Sequence, residues 1–339
     1  MSLFCDFYRL GQEEGRVIAL QIIFDLIFLF GLKYFETSES TENDTSDDEV
    51  IASSNELKLM SVITTALYDP DEKIQNTSAE GFAKLFLNRV IDDKTVLEGL
   101  FYLYLHPATR SASPIKQCLS YFFQAYAFIS SDNQFAIGSL IGKILGSWIR
   151  ISRQVPSSTV TLSSVASQLL YLVDRGNLIQ SAPRSNAEAY NEMYAQVAVD
   201  ISWVIMNDPL DETSKTLSSI ICKLPLKTLT SPDAPPLLKQ LLFLQTQIMK
   251  YIADKTTINS LKRFTANLLQ LDTQDEPLDF EIVNEMRAQL NNILPAGIKV
   301  NSAAVVNNNA GGGSKKVKLS KEEISGNIMD DISDLLEDE

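Results

Sequence analysis

The chain has little of what catalysis and metal binding require. Its 339 residues include one histidine, His106, and three widely separated cysteines, Cys5, Cys118 and Cys222. This spacing forms neither a disulfide framework nor a metal-binding pattern, and the odd cysteine count favours a reducing compartment. His106 precedes a proline and is expected at a helix end. With no glycine-rich phosphate loop in the sequence, we expect a protein that is not an enzyme and uses no cofactor.

The sequence also lacks an uninterrupted hydrophobic run long enough to cross a membrane. The most apolar stretch, residues 18–35, contains Gln21 and Asp25 near its middle. A bilayer span needs roughly 20 apolar residues, and a carboxylate at mid-bilayer costs several kcal/mol. Gln21 and Asp25 are four residues apart and therefore share one helix face. We expect a helix that is buried on most sides in a helical protein, with these two residues on a polar stripe.

Positive charge is scarce overall, but its distribution is uneven. The formal net charge is −14. Residues 36–50 carry seven acids and no base, and residues 295–339 carry eight acids and five bases. Residues 81–153, in contrast, hold eight lysines and arginines against four acids. A basic surface on the folded part is therefore compatible with the acidic total.

Strand signals are scarce, and helical periodicity fills most of the chain. About a dozen amphipathic segments are joined by short loops, and the segments pair at about the length of HEAT or armadillo units. We predict an all-α HEAT-repeat-like solenoid over residues 1–294, with a compact helical bundle as the alternative. Within it, residues 36–50 are expected to form a disordered acidic loop. Residues 295–339 are expected to form a disordered mixed-charge tail.

Three local expectations concern individual helices. Ser113 before Pro114 is typical of a helix start, because serine caps the helix and proline suits its first turn. Residues 132–154 are predicted to form one long helix that ends before a proline. Gly81 lies inside a helical pattern, where we expect a neighbouring helix to pack so closely that a side chain would not fit.

Three stretches together resemble one family. "IALQIIFDLIFLFG" (18–31), "SAEGFAKLFL" (78–87) and "LYLHPATRSASPIKQCLSYFFQAYAF" (103–128) are similar in order and spacing to the C-terminal HEAT-repeat region of the G-type condensin subunit, also called non-SMC subunit 3. The similarity is strongest in the first half of the chain. Members of this family usually carry further N-terminal HEAT repeats, so contacts made by those repeats are not carried over.

The resemblance implies a scaffold without catalytic activity of its own. Such subunits bind the kleisin subunit of condensin and, together with it, hold double-stranded DNA in a basic groove. They thereby anchor the ATP-driven SMC complex to chromosomes. The family therefore implies a role in mitotic chromosome condensation in the nucleus, with a cytoplasmic location in part of the cell cycle. It implies neither a membrane nor a small-molecule substrate.

The basic 81–153 region supplies the expected DNA contacts. We expect its side chains to neutralise phosphates without reading bases. Arg150 and Arg153 are the strongest candidate pair, because residues three apart at a predicted helix end point the same way. For each residue alone, an ordinary solvated surface charge is the simpler explanation. The predicted DNA-binding residues are Lys84, Arg89, Arg110, Lys116, Lys143, Arg150 and Arg153.

Two segments carry further, weaker signals. Hydroxyls followed by acids, which acid-directed kinases prefer, make Thr41, Thr45 and Ser46 candidate phosphorylation sites, with plain solvation as the alternative. Four lysines in the tail form a candidate nuclear-import signal or DNA tether, and a solvated linker explains them equally well. These lysines are Lys315, Lys316, Lys318 and Lys321.

Two other classes of protein stay open on the sequence. A HEAT-type protein–protein scaffold of nuclear transport or of a phosphatase would bind no DNA and has no need for a basic 81–153 region. A helical enzyme would need a polar pocket with clustered, perturbed carboxylates. Copurified partners would distinguish the condensin scaffold from the other HEAT-type scaffold. A polar pocket with clustered carboxylates in the structure would indicate the enzyme.

Overall fold

The fold is all-α in the described part of the chain. The computed structural model describes residues 8, 11–32, 59–106, 113–154, 160–226, 234–271, 284–286 and 288–289. Within these residues all regular structure is helical, which confirms the predicted fold class. The predicted acidic loop and the predicted tail lie outside the described residues.

Helices follow one another with short connections wherever the connection is described. A short 3-10 turn, Arg175–Asn177, lies between the eighth and ninth helices. In chain order the helices are α1 (Glu13–Phe30), α2 (Leu59–Tyr68, with a 3-10 last turn), α3 (Glu72–Leu87), α4 (Lys94–Leu105), α5 (Pro114–Phe128), α6 (Ser131–Gly138), α7 (Ile141–Ser152), α8 (Leu162–Leu172), α9 (Ala187–Asn207), α10 (Thr213–Ile221), α11 (Ala234–Tyr251) and α12 (Lys255–Leu271).

Capping side chains determine where several helices begin. The Asp71 carboxylate accepts hydrogen bonds from two backbone N–H groups in the first turn of α3, and Asp93 does the same for α4. Ser113 caps α5 directly before Pro114, as predicted. These side chains satisfy N–H groups that have no partner inside the helix.

The chain divides into two compact units. Unit 1 comprises Met1–Leu140, Arg150–Val160 and Tyr171–Arg184, and unit 2 comprises Ile141–Ile149, Thr161–Leu170 and Ser185–Glu339. In unit 1, α3 packs against both α1 and α5; in unit 2, α9 packs against α11, and α10 against α12. In these four pairs a helix contacts the next helix but one, as expected when helical hairpins stack as repeats.

Aromatic rings fill the core of unit 1. The rings of Phe24 on α1 and Phe82 on α3 meet edge to face with centroids 5.1 Å apart, and those of Phe101 and Phe123 stack at 3.8 Å. Gly81 permits the first contact, because a Cβ there would lie 2.3–2.6 Å from atoms of the Phe24 ring. The predicted close approach at Gly81 is confirmed.

Helix α1 buries one face and exposes another. Gln21 and Asp25 are exposed, as predicted, but so are Ile18 (54%) and Leu29 (69%). The expectation of burial on most sides is therefore wrong for the described structure, in which α3 covers one face of α1. No single described helix is long and apolar enough to cross a bilayer, although α6 and α7 pass that test together, as a bent pair, by length and composition.

The segment 132–154 forms two helices, so the prediction of one long helix is wrong. Helix α6 ends at Gly138 and α7 begins at Ile141. In between, the Leu140 N–H donates to the Ile137 carbonyl, and the Ser139 hydroxyl donates to the Ala136 carbonyl. Glycine is costly inside a helix, and serine competes for backbone groups, so the helix breaks although the apolar pattern continues through it.

The core of unit 2 is mainly aliphatic, and it contains a buried polar link. The Gln245 side chain on α11 donates from Nε2 to Ser202 Oγ on α9 at 2.9 Å, and both residues are fully buried. Ser202 in turn donates to the Ala198 carbonyl within its own helix. Because a hydrogen bond is directional, this link fixes the position of α11 against α9 more specifically than apolar packing alone would.

Candidate nucleic-acid interface

Lys84 lies among acids. It is in the last turn of α3, exposed, and paired with Glu80 one turn earlier at 3.1 Å. Both residues line a cavity of about 480 Å³ between α1 and α3, together with Asp25. Two carboxylates beside one ammonium make this cavity a poor place for a phosphate.

Arg89 has a structural reason for its position. It follows α3 with a left-handed backbone (φ 56°), and the Arg89 and Val90 N–H groups close the helix by donating to Phe86 and Leu85 carbonyls. This is the Schellman arrangement. The positive charge of Arg89 is also favourable there, because the C-terminal end of the helix dipole is negative. Arg89 lines a cavity of about 430 Å³ whose other charged residues are Lys94, Asp92 and Asp132.

The other predicted DNA contacts are scattered over several elements. Lys116 is half-buried in the first turn of α5, and Lys143 is exposed on α7. Arg150 is exposed in the last turn of α7, whereas Arg153 is exposed in the turn that follows the helix. Arg110 lies outside the described residues, as do Thr41, Thr45 and Ser46. The site prediction over 81–153 therefore stays a prediction, and two of its members, Lys84 and Arg89, line different cavities.

The helices at the end of unit 2 carry a denser positive charge, which the sequence reading missed. Residues 213–271 contain eight lysines and arginines and two acids, a higher excess than in the longer 81–153 region. Extending the charge count beyond residue 153 would have revealed this 213–271 region. The basic residues described in it are Lys215, Lys223, Lys239, Lys250, Lys255, Lys262 and Arg263, of which Lys239 and Lys262 are half-buried and the rest exposed.

The geometry of α10–α12 brings several of these cations together. Lys215 on α10 reaches Asp254, the residue before α12, with Nζ 3.8 Å from Oδ1. Lys250 and Lys255 flank the same short turn between α11 and α12. Lys262 is seven residues after Lys255 and so shares its helix face, about 10 Å further along. We call the exposed side of α10–α12 that bears these residues the basic surface.

Asp254 is the one acid among the described residues of the 213–271 region, and it is held by its own helix. Its carboxylate accepts hydrogen bonds from the Thr256 and Thr257 hydroxyls and from the Thr257 N–H. These bonds, with Lys215 nearby, hold the pKa of the Asp254 carboxyl well below its usual range. Asp254 therefore caps α12, and the lysines around it outnumber the described acids of the 213–271 region.

The described cysteines and the histidine show no sign of activation. Burial raises the pKa of the Cys118 thiol and raises that of Cys222 to about 11, so both thiols are protonated at neutral pH. Burial lowers the pKa of His106, which ends α4 as predicted. Among the described residues no three His, Cys, Asp or Glu side chains are grouped so that they could hold a metal. The cations of the basic surface can neutralise phosphates.

Comparison with known proteins gives the family from the sequence. A family model described as "Nuclear condensing complex subunits, C-term domain" matches residues 1–226. The human protein named condensin complex subunit 3 is 24% identical over 267 residues, which are 75% of this chain and 25% of that protein. Its Schizosaccharomyces pombe counterpart of the same name is 27% identical over 298 residues, 86% of this chain and 32% of that protein.

A solved structure shares the fold. The crystal structure of the S. pombe condensin Cnd3-Cnd2 subcomplex matches with a TM-score of 0.62 at 22% sequence identity, over 80% of this chain and 33% of the matched chain. This match confirms the HEAT-repeat-like fold predicted from the sequence. The chain spans about a quarter to a third of the length of the curated relatives that it matches.

Proposed function

Because the chain belongs to the family of nuclear condensing complex subunits through their C-terminal domain, we propose that it is a non-catalytic scaffold of condensin that binds the kleisin subunit and double-stranded DNA in mitotic chromosome condensation. The family match over residues 1–226 is the observation that carries this proposal. The SMC proteins of the complex would be reached indirectly, through the kleisin.

The kleisin part is supported by a neighbour and by the architecture. The structural neighbour is a condensin subunit solved in a subcomplex with a second protein, Cnd2. Stacked helical hairpins present extended surfaces along which a peptide can lie, and each added contact offsets part of the ordering cost of several kcal/mol. We therefore expect the condensin kleisin to bind along the described helices.

The DNA part is supported by the basic surface of α10–α12. On that surface Lys215, Lys250 and Lys255 are exposed and Lys262 is half-buried, and Lys223 and Arg263 are exposed elsewhere in the 213–271 region. Such a surface attracts the phosphate backbone of any duplex, releases counterions and reads no sequence. Arg150 and Arg153 are retained as secondary contacts.

Copurification with a tagged condensin kleisin tests the scaffold. The full chain should retain the kleisin from a co-expressing cell, and the complex should survive gel filtration. A chain that is folded, as judged by its helical circular dichroism, but retains no kleisin would contradict the proposal. Thermal unfolding of the same sample verifies that the chain is folded.

Salt-dependent duplex binding tests the DNA part. The affinity for a mixed-sequence duplex should fall linearly on logarithmic axes as salt rises. If about four phosphates are engaged, the slope should be near −3.6. An equal affinity for unrelated duplexes is expected as well. The absence of salt-sensitive binding, with and without the kleisin, would instead favour a protein–protein scaffold that does not bind DNA.

We place this activity in the nucleus and on chromosomes. The tail lysines Lys315, Lys316, Lys318 and Lys321 are the proposed import signal. Neutralising all four to glutamine should reduce nuclear entry of the fluorescently tagged chain in interphase cells. The same number of changes in the 213–271 region should leave nuclear entry unchanged while weakening DNA binding. Full nuclear entry of the tail variant would remove the import role.

A further inference from the structure

The chain carries a polyanion of its own as well as a basic surface. Residues 322–339, at its C-terminal end, contain eight acids and no base. The 213–271 region, which bears the basic surface, belongs to unit 2 and has seven described cations against the single described acid Asp254. Opposite charges of similar number therefore occur within one chain.

The covalent connection makes their encounter frequent. Helix α12 ends at Leu271, and about 50 residues separate it from residue 322. Residues 284–286 and 288–289 of this connection are helical and Met286 is buried, so about 30 residues, which can extend over at most about 100 Å, lie between the last described residues and the segment, whereas α12 itself is about 25 Å long. An acidic segment held this way samples the basic surface at an effective concentration approaching millimolar.

We propose that the acidic C-terminal segment, residues 322–339, docks in cis on the basic surface of α10–α12 and competes there with polyanionic ligands. The docking stands on charge and connectivity alone. Its consequence for DNA rests on the proposed function: the segment would have to be displaced before a duplex engages the same lysines.

The physical character of this docking follows from its exposure. Individual ion pairs at an exposed surface are weak and are screened over about 8 Å at physiological salt, so no single pair holds the segment. Many such pairs together form a loose, salt-sensitive complex. A duplex carries a much denser line of charge, about one per 1.7 Å, and should displace the segment at low salt. The segment therefore sets a threshold for DNA binding without preventing it.

A zero-length carbodiimide crosslink between carboxylates and lysine amines tests the docking without DNA. In the full chain, mass spectrometry should find crosslinks from the acids of 330–339 to Lys215, Lys250 and Lys255, and these should disappear in high salt. The matched controls are Lys84 and Lys143, which are exposed lysines in the 81–153 region. Crosslinks that reach the controls as often as the basic surface, or that join only the tail acids and tail lysines, would overturn the docking.

Duplex affinity tests the competition. Replacing the six acids of residues 330–339 with their amides, in the full chain, should raise affinity for a mixed-sequence duplex about tenfold at low salt, because each pair released frees a phosphate site. The matched control replaces six acids of residues 36–49 by amides, which changes the net charge equally. An equal gain in both variants, or no gain in the tail variant, would overturn the competition. If no variant binds the duplex, the proposed function fails, and crosslinking alone decides the docking.

Discussion

The 81–153 region and the 213–271 region are both rich in lysine and arginine, but the structure uses their charges differently. In the 81–153 region, Lys84 is paired with Glu80, and Arg89 closes a helix beside Asp92 and Asp132. In the 213–271 region the single described acid caps a helix, and the cations around it remain in excess. We therefore expect phosphate binding where the bases outnumber the acids that cap helices and form ion pairs beside them.

The two units differ in their cores in a related way. Unit 1 interlocks aromatic rings around Gly81, and its packing motifs are the stretches that resemble the condensin family. Unit 2 packs aliphatic side chains around the buried Gln245–Ser202 link and bears the basic surface outside. The residues that make the family recognisable are therefore packing residues, whereas those proposed to bind DNA lie where the resemblance is weaker.

The largest effect on stability is expected at Gly81, which tests the contrast in packing. The G81A variant should lower the free energy of unfolding by about 1–3 kcal/mol, because the new Cβ would overlap the Phe24 ring. In unit 2, the nearest atom to a Cβ at Gly146 is Val204 Cγ2 at 3.6 Å, an ordinary contact. G146A should therefore be neutral or stabilising by up to about 1 kcal/mol. Denaturant unfolding measures both, and equal stability of the two variants would contradict the contrast.

An effect on stability of at most the same size is expected from the buried hydroxyls. S202A in unit 2 should cost about 1–3 kcal/mol, because it removes the acceptor of the buried Gln245 amide. The matched change in unit 1, S78A, removes a donor to the Ile63 carbonyl and should cost about 0.5–1.5 kcal/mol. The double variant S202A/Q245L should recover much of the loss. Denaturant unfolding that shows additive losses in the double variant would argue against this link.

The smallest effect is expected from the cap of α12. D254N keeps the cap, because asparagine caps as well as aspartate, but removes a negative charge beside Lys215 and Lys255. Duplex affinity should rise about two- to fivefold. The control D71N keeps the cap of α3 in unit 1 and should leave affinity unchanged. A similar gain for both would mean that the position of the charge is unimportant.

The pH dependence of D254N gives an independent check. The folded pKa of Asp254 is depressed, so its contribution to stability is complete above the usual carboxyl pKa and is lost as pH falls below about 4. The wild type should therefore lose stability on acidification more steeply than D254N. Thermal unfolding between pH 7 and pH 3 measures this, and parallel curves would contradict the role given to the Thr256 and Thr257 hydrogen bonds.

Much of the fold could be predicted because local chemistry encodes it. Helix starts at Ser113 and the tight contact at Gly81 were foreseen, since capping residues and a glycine inside an apolar pattern have few alternative explanations. The break between Gly138 and Ile141 was missed, because apolar periodicity continues through it. The exposed face of α1 was missed because a pattern shows which residues are apolar and not which neighbours cover them.

The candidate site was harder to predict than the fold. A net charge summed over 81–153 treats all lysines alike, whereas the structure shows Lys84 paired and Arg89 in a helix-closing turn. The 213–271 region has the larger excess of bases, yet the resemblance to the condensin family is strongest earlier in the chain. Only the fold shows that Lys215 reaches Asp254, the residue before Lys255 and 39 residues further along the chain.

The most direct test of the account compares two triple charge reversals in duplex binding at about 0.1 M salt. The first, K255E/K262E/R263E, lies on α12; the second, K143E/R150E/R153E, lies on α7 and the turn after it and changes the net charge equally. Both variants should keep the helical circular dichroism of the wild type.

We expect the α12 variant to lose on the order of 100-fold in affinity, with a salt slope flatter by about 3, because each phosphate contact contributes about 0.9 to that slope. The α7 variant should lose about tenfold or less, since only Arg150 and Arg153 are retained there as secondary contacts. An α7 variant that loses as much as the α12 variant would contradict the assignment of the site to α10–α12. Unchanged affinity in both would contradict DNA binding through either basic region.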